Sequence, residues 1–159
     1  RAARLMDRFA SALPESYKFD VPTKAAVEDV QRLDALTPGA LDVNLYEDAE
    51  GQWKLKLYRS GEHLSLSQVL PLLEHLGVEV LDERPYEVQG ADIPAGSMWI
   101  YDFALGEIQE TEADPATVKA LFEEAVTSMW RGEAEADAFN HLVLRGALTW
   151  RQVSVFRAY

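Results

Sequence analysis

Apolar residues recur along this chain at two different spacings, and the changes of spacing mark its elements. Leu5, Met6, Phe9 and Leu13 fall at helical intervals until Pro14 breaks the run. Tyr17 to Asp20 reads as a short linker. Pro22 then opens a second helix with Ala26, Val27, Val30 and Leu33 on one face, ending before Thr37-Pro38-Gly39. The period next drops to two. Leu41, Val43 and Leu45 alternate with Asp42, Asn44 and Tyr46, and Trp53, Leu55 and Leu57 alternate with Lys54, Lys56 and Tyr58. Glu47 to Gln52 between them reads as a hairpin turn.

Helical spacing returns with Leu66, Val69, Leu70, Leu73 and Leu76, stopped by Gly77. Either Ser65 or Ser67 caps this helix; with Ser65 as the cap, Pro71 kinks it. Val78, Val80 and, beyond Pro85, Tyr86 and Val88 form a third strand. Met98 to Leu105 forms a fourth, with Trp99, Tyr101, Phe103 and Leu105 on one face. It is apolar on both faces, so it is expected to be central. Asp114-Pro115 then pairs a cap with a proline at the first helical position. Val118, Leu121, Phe122, Ala125, Val126, Met129 and Trp130 follow it at helical spacing until Gly132.

The order β-β-α-β-β-α from Leu41 to Trp130 predicts an α+β fold. Its four-stranded, antiparallel-type sheet carries helices on one face, resembles a rearranged ferredoxin-like unit, and is flanked by further helices. Each hairpin strand has one apolar and one more polar face, so one side of the sheet is expected to stay open. Lys54 and Lys56 are placed to blunt a sheet edge. Three regions follow: a helical segment over 1–36, the α+β domain over 37–132, and the start of a C-terminal helical region over 133–159.

That last region holds Phe139, Leu142 and Val143 in a short helix stopped by Gly146. Thr149 and Gln152 then make a T-x-x-Q capping box ahead of Trp150, Val153 and Phe156. The helix has no stop signal before Tyr159, and the first helix has no cap before Arg1. Both ends therefore read as cut, and the chain as a segment of something larger. Trp150, Val153 and Phe156 are expected to lie exposed, with the helix frayed or docked on residues outside the segment.

Composition narrows the function. The 159 residues carry 27 acids against 15 bases, a net charge of −12. Such a field makes nucleic acid and anionic membrane surfaces poor partners. There is no cysteine, which removes disulfides and thiolate metal sites and fits a cytoplasmic setting. No apolar run approaches the 18 residues of a membrane span.

Candidate chemistry is sparse. Neither G-x-G-x-x-G nor G-x-x-x-x-G-K-[ST] occurs, so no sequence motif here cradles a phosphate or a dinucleotide. None of His63, His75 and His141 has a second His, or an HExxH frame, at zinc-ligand spacing. Ser97 and Ser128 lack a nucleophile elbow. The acid pairs Asp82/Glu83, Glu123/Glu124 and Glu133/Glu135 read as solvated charge. Trp99, Tyr101 and Phe103 read as sheet core rather than a stacking platform. Asp102, an acid within the most apolar strand, either faces solvent on the open side or meets an effector amine or another subunit.

Three blocks carry a resemblance: LKLYRSGEHLSLSQVLPLLEHLGVEVLDERPYEV from Leu55, WIYDF from Trp99, and FEEAVTSMWRGEAEADAFNHLVLRGALTWRQVSVFRAY from Phe122. With YKFDVPTKAAVEDVQRLDAL from Tyr17, they resemble the large NAD-specific glutamate dehydrogenases of bacteria. The resemblance implies the last ACT-like regulatory module of such a chain and the beginning of the helices that precede catalysis. It implies a parent enzyme that oxidatively deaminates L-glutamate to 2-oxoglutarate and ammonium with NAD. No catalytic, cofactor-binding or metal-binding residue carries over to this segment. An effector loop of the ACT kind falls on Ser60, Gly61, Glu62 and His63. The expected partners are the rest of the parent polypeptide, a second copy, and an amino-acid effector. The other reading is an independent ACT-like domain that senses an amino acid.

Overall fold

The structure, a computed structural model, describes residues 2–93, 96–108, 113–136 and 140–158. Pro94, Phe139 and Tyr159 lie outside the described residues. The elements run α1 (Ala2–Ala10), α2 (Glu15–Asp20), α3 (Thr23–Ala35), β1 (Leu41–Glu47), β2 (Trp53–Ser60), α4 (Leu66–His75), β3 (Val80–Gln89), β4 (Ser97–Leu105), α5 (Pro115–Trp130), α6 (His141–Arg145) and α7 (Trp150–Arg157).

The strands form one antiparallel sheet in the order β1-β2-β4-β3. Bonds near the strand ends fix the directions. Ser60 N–H meets Ala40 O where β2 ends and β1 begins, and Gly61 N–H meets Ser97 O where β4 begins. Gly106, after β4, donates to Glu79 O just before β3. The ferredoxin-like unit is thus rearranged cyclically: the strand that normally closes β-α-β-β-α-β stands first. The first turn is held by Asp48, whose Oδ1 accepts from the N–H groups of Glu50 at 2.9 Å and Gln52 at 3.0 Å. β4 is central, as its two apolar faces predict. β3 runs straight through Pro85, because an edge strand has a ladder partner on one side only.

Several local readings change. Tyr17 to Asp20 is not a linker but most of α2, which follows Pro14 and buries Tyr17. Ser65 takes the N-cap position of α4 without a side-chain capping bond, so Pro71 lies inside the helix. Lys54 and Lys56 do not guard an edge, since β2 is an inner strand. Lys56 is buried, with its ammonium 5.6 Å from the centre of the Tyr46 ring.

The chain divides into two compact units. The first comprises Arg1–Asp42, Leu57–His63 and Arg84–Asp102. Its core joins Phe9, Leu13, Tyr17, Ala26, Val30 and Leu33 from the helical segment to Tyr58, Tyr86, Val88, Met98 and Ile100 from the strands. Within this unit the expected open sheet face is covered: Met98 and Ile100 alternate with Trp99 and Tyr101, and they pack on α1 to α3. Burying each such side chain stabilises by about 1.5–3 kcal/mol, and that gain is what holds the short helix α2 in place.

The second unit comprises Val43–Lys56, Leu64–Glu83 and Phe103–Tyr159. It buries Leu45, Leu55, Leu73, Phe103, Leu105, Phe122 and Val126. Asp114 caps α5 by accepting the Thr117 N–H at 2.8 Å. α5 packs against α4, α6 and α7.

Candidate functional site

The loop Ser60–His63 lies in the first unit, at the end of β2. Ser60 is almost wholly buried. Its backbone pairs with Gly39 and Ala40, and its Oγ has no hydrogen-bond partner among the described residues. Gly61 takes φ +96°, a conformation that favours glycine, and donates to Ser97 O at 3.0 Å. Glu62 points to solvent while its carbonyl accepts from Arg59 Nε at 3.3 Å. His63 is exposed, with its ring 6.1 Å from that of Trp99 and tilted to it. Trp99 in turn stacks on Tyr101 at 5.9 Å. Tyr101 and Phe103 are buried, so the aromatic row is core at that end and half-exposed at Trp99.

Asp102 does not join this loop. It lies five residues along β4 from Ser97, roughly 17 Å at the rise of an antiparallel strand. It is half-buried rather than open to solvent. Its charge is one of the influences that raise the phenol pKa of Tyr17 and of Tyr86. In both tyrosines burial is the largest cause. For Tyr17 the next is the Asp29 carboxylate, and for Tyr86 the hydrogen bond to Asp20.

The best-built polar group of the first unit was not singled out from the sequence. Asp29 is buried on α3 and accepts hydrogen bonds from Tyr17 at 2.6 Å and from Tyr58 at 2.6 Å. Tyr86 gives its hydroxyl to Asp20 at 2.7 Å and packs edge-on to Tyr17, ring centres 5.3 Å apart. A sequence signal existed: Asp29 stands in the stripe Ala26, Asp29, Val30, Leu33, where an acid must find donors. Two phenols held above their ordinary pKa beside carboxylates are poor acids and poor nucleophiles near neutral pH. The cluster ties α2, α3 and β2 together.

In the second unit α7 carries the predicted capping box. Gln152 N–H donates to Thr149 Oγ1 at 3.2 Å, and Thr149 N–H donates to Gln152 Oε1 at 2.9 Å. Arg157 secures the last turn by donating to Glu135 O at 3.0 Å. Val153, expected to be exposed, is fully buried, because α7 packs on α5 and α6 within the chain. Phe156 is 52% exposed, next to Val155 at 59%. Trp150 is half-buried, with the Arg151 guanidinium 5.3 Å from its ring centre.

Among the described residues no group of three or more His, Asp or Glu side chains is gathered to hold a metal ion. No described helix is long and apolar enough to cross a membrane.

Sheet order and the helices packed on it define an α+β module of rearranged ferredoxin-like topology. The family model for the ACT3 domain of glutamate dehydrogenase matches residues 40–118. Those for its helical motifs 2 and 3 match residues 1–36 and 134–159. The chain belongs to this glutamate dehydrogenase family. It is 43% identical over 159 residues to the NAD-specific glutamate dehydrogenase of Halomonas elongata, covering 98% of this chain and 10% of that protein. It is 39% identical to that of Mycobacterium tuberculosis, covering 95% and 10%, and 34% identical to that of Pseudomonas aeruginosa, covering 100% and 10%. The chain thus spans about a tenth of the length of the relatives it matches.

Proposed function

We propose that this chain is a non-catalytic regulatory and assembly module of an NAD-dependent glutamate dehydrogenase. In the whole protein, L-glutamate, NAD and water would give 2-oxoglutarate, ammonium, NADH and a proton, with NAD bound outside this segment. The observation that carries the reading is the run of matches, an ACT domain between two helical motifs of one dehydrogenase family. It supports three regions, 1–36 helical, 37–132 ACT-like and 133–159 the start of the next helices. The same reading puts the module in the cytoplasm, with the rest of the parent polypeptide as its main partner. Phe156, Val155 and the half-buried Trp150 are the apolar surface it offers for docking.

A second reading, an amino-acid-sensing domain, is favoured by one observation. Among the described residues Ser60 Oγ is buried without a hydrogen-bond partner, and a Cβ added at the adjacent Gly61 meets no heavy atom within 4 Å beyond its chain neighbours. Thermal unfolding measured across a set of amino acids separates the two. An effector at a hundred times its Kd adds about 2.7 kcal/mol to stability and raises Tm. An assembly module shows no shift at millimolar concentrations, and a shift that survives Ser60→Ala places the effector elsewhere.

A further inference from the structure

Leu45 lies where the outer edge of the sheet meets α5. β1 is an edge strand, so alternate residues along it turn their N–H and C=O away from β2. Ala40 O accepts from Ser60 N–H and Asp48 N–H donates to Gln52 O, so those two residues face β2. The odd-numbered residues between them, Leu45 included, turn outward. Yet Leu45 does not present free groups. Its N–H donates to Glu123 Oε2 at 2.9 Å, and its C=O accepts from Lys119 Nζ at 2.7 Å. Lys119 also donates to Asn44 Oδ1 at 2.8 Å and to Glu123 Oε2 at 2.8 Å, one helical turn away.

A neighbouring strand would offer Leu45 one acceptor and one donor. The two side chains of α5 offer the same pair. We propose that Lys119 and Glu123 act as a side-chain substitute for a fifth strand and close the β1 edge to pairing with a second copy of this chain. An open edge is a template for another chain. A copy adding here must displace two charge-assisted hydrogen bonds, which are about twice as strong as neutral ones. α5 is itself anchored by buried Val118, Phe122 and Ala125, so the pair is held against the edge and does not drift from it. Closure of β1 directs any association of copies to other surfaces of the module.

The test uses the full-length protein that carries this segment. Lys119→Ala with Glu123→Ala removes the substitute strand; Lys119→Arg with Glu123→Gln keeps a donor and an acceptor. Amide exchange at Leu45 and mass by light scattering are followed against concentration. The expected result for the alanine pair is Leu45 exchange at least about tenfold faster in dilute protein, a loss of roughly one hydrogen bond. Mass should then rise above the wild-type assembly with concentration, and Leu45 should regain protection as it does. The Arg/Gln pair should match wild type. The proposal is overturned if the alanine pair exchanges fast at Leu45 but keeps wild-type mass at every concentration. It is also overturned if wild-type Leu45 protection already depends on concentration. Should circular dichroism show the alanine pair unfolded, Glu123→Ala alone, which frees only the N–H, is read by the same criteria.

Discussion

Tyr17 donates its hydroxyl hydrogen to Asp29 Oδ2 at 2.6 Å, and each residue is only 1% exposed. This bond ties the short helix α2 to α3, and Tyr58 brings β2 to the same carboxylate at 2.6 Å. Removing the acceptor strands two buried hydroxyls, each costing about 1–3 kcal/mol when unsatisfied. Asp29→Ala should therefore lower stability by roughly 3 kcal/mol, and Tyr17→Phe by about half as much, in urea titrations. Equal stability for both variants and wild type would show that the cluster fastens nothing.

Tyr17 and Tyr86 set a limit at high pH. Burial and neighbouring carboxylates raise the Tyr17 and Tyr86 pKa above the ordinary value of 10.0. The folded chain keeps protons that the unfolded chain releases, so their contribution is whole below pH 10 and is lost as pH rises above it. Each tyrosine then steepens the fall by about 1.4 kcal/mol per pH unit. Unfolding midpoints between pH 9 and 11 should drop sharply for wild type and less for Tyr17→Phe or Tyr86→Phe. Parallel curves for all three would contradict the raised values.

α7 offers a contrast between two apolar residues three positions apart. Val153 is fully buried and Phe156 is 52% exposed. Val153→Ala should destabilise the 159-residue chain by about 2 kcal/mol through the cavity it leaves. Phe156→Ala should stay within about 0.5 kcal/mol in this chain, and cost more in the full-length protein, where the proposed docking would cover the ring. Equal effects of Phe156→Ala in both contexts would remove the case for docking there.

The cap of α7 gives a smaller, local prediction. Thr149 and Gln152 satisfy each other's backbone N–H groups. Thr149→Ala should cost about 1 kcal/mol and raise amide exchange at Gln152 and Val153 before the rest of the chain. Unchanged exchange would mean that packing alone fixes the helix start.

How far these features are legible in the sequence depends on whether their cause is local. The period-two runs, the Asp114 and Thr149 caps and the Gly77 and Gly132 stops act within a few residues, so strands and helix ends are readable directly. α2 is not, because nothing in Tyr17 to Asp20 favours a helix strongly; it is held by the burial of Tyr17 and by its bond to Asp29, twelve residues on. The closed β1 edge escapes for the same reason, since Glu123 meets Leu45 across 78 positions. The covered sheet face follows from where α1 to α3 pack, which strand alternation does not encode. Of the candidate site, the loop Ser60–His63 lies together at the end of β2. Asp102 belongs instead with the tyrosines, because its position along β4 carries it past the loop.

The role proposed for the segment is to support a glutamate dehydrogenase without performing its chemistry. NADH formation from L-glutamate and NAD, followed at 340 nm with the 159-residue chain alone, tests it most directly. The expected result is no turnover at any concentration of chain, with circular dichroism confirming that the protein is folded. Glutamate-dependent NADH formation beyond one equivalent per chain, lost on heat unfolding, would contradict it.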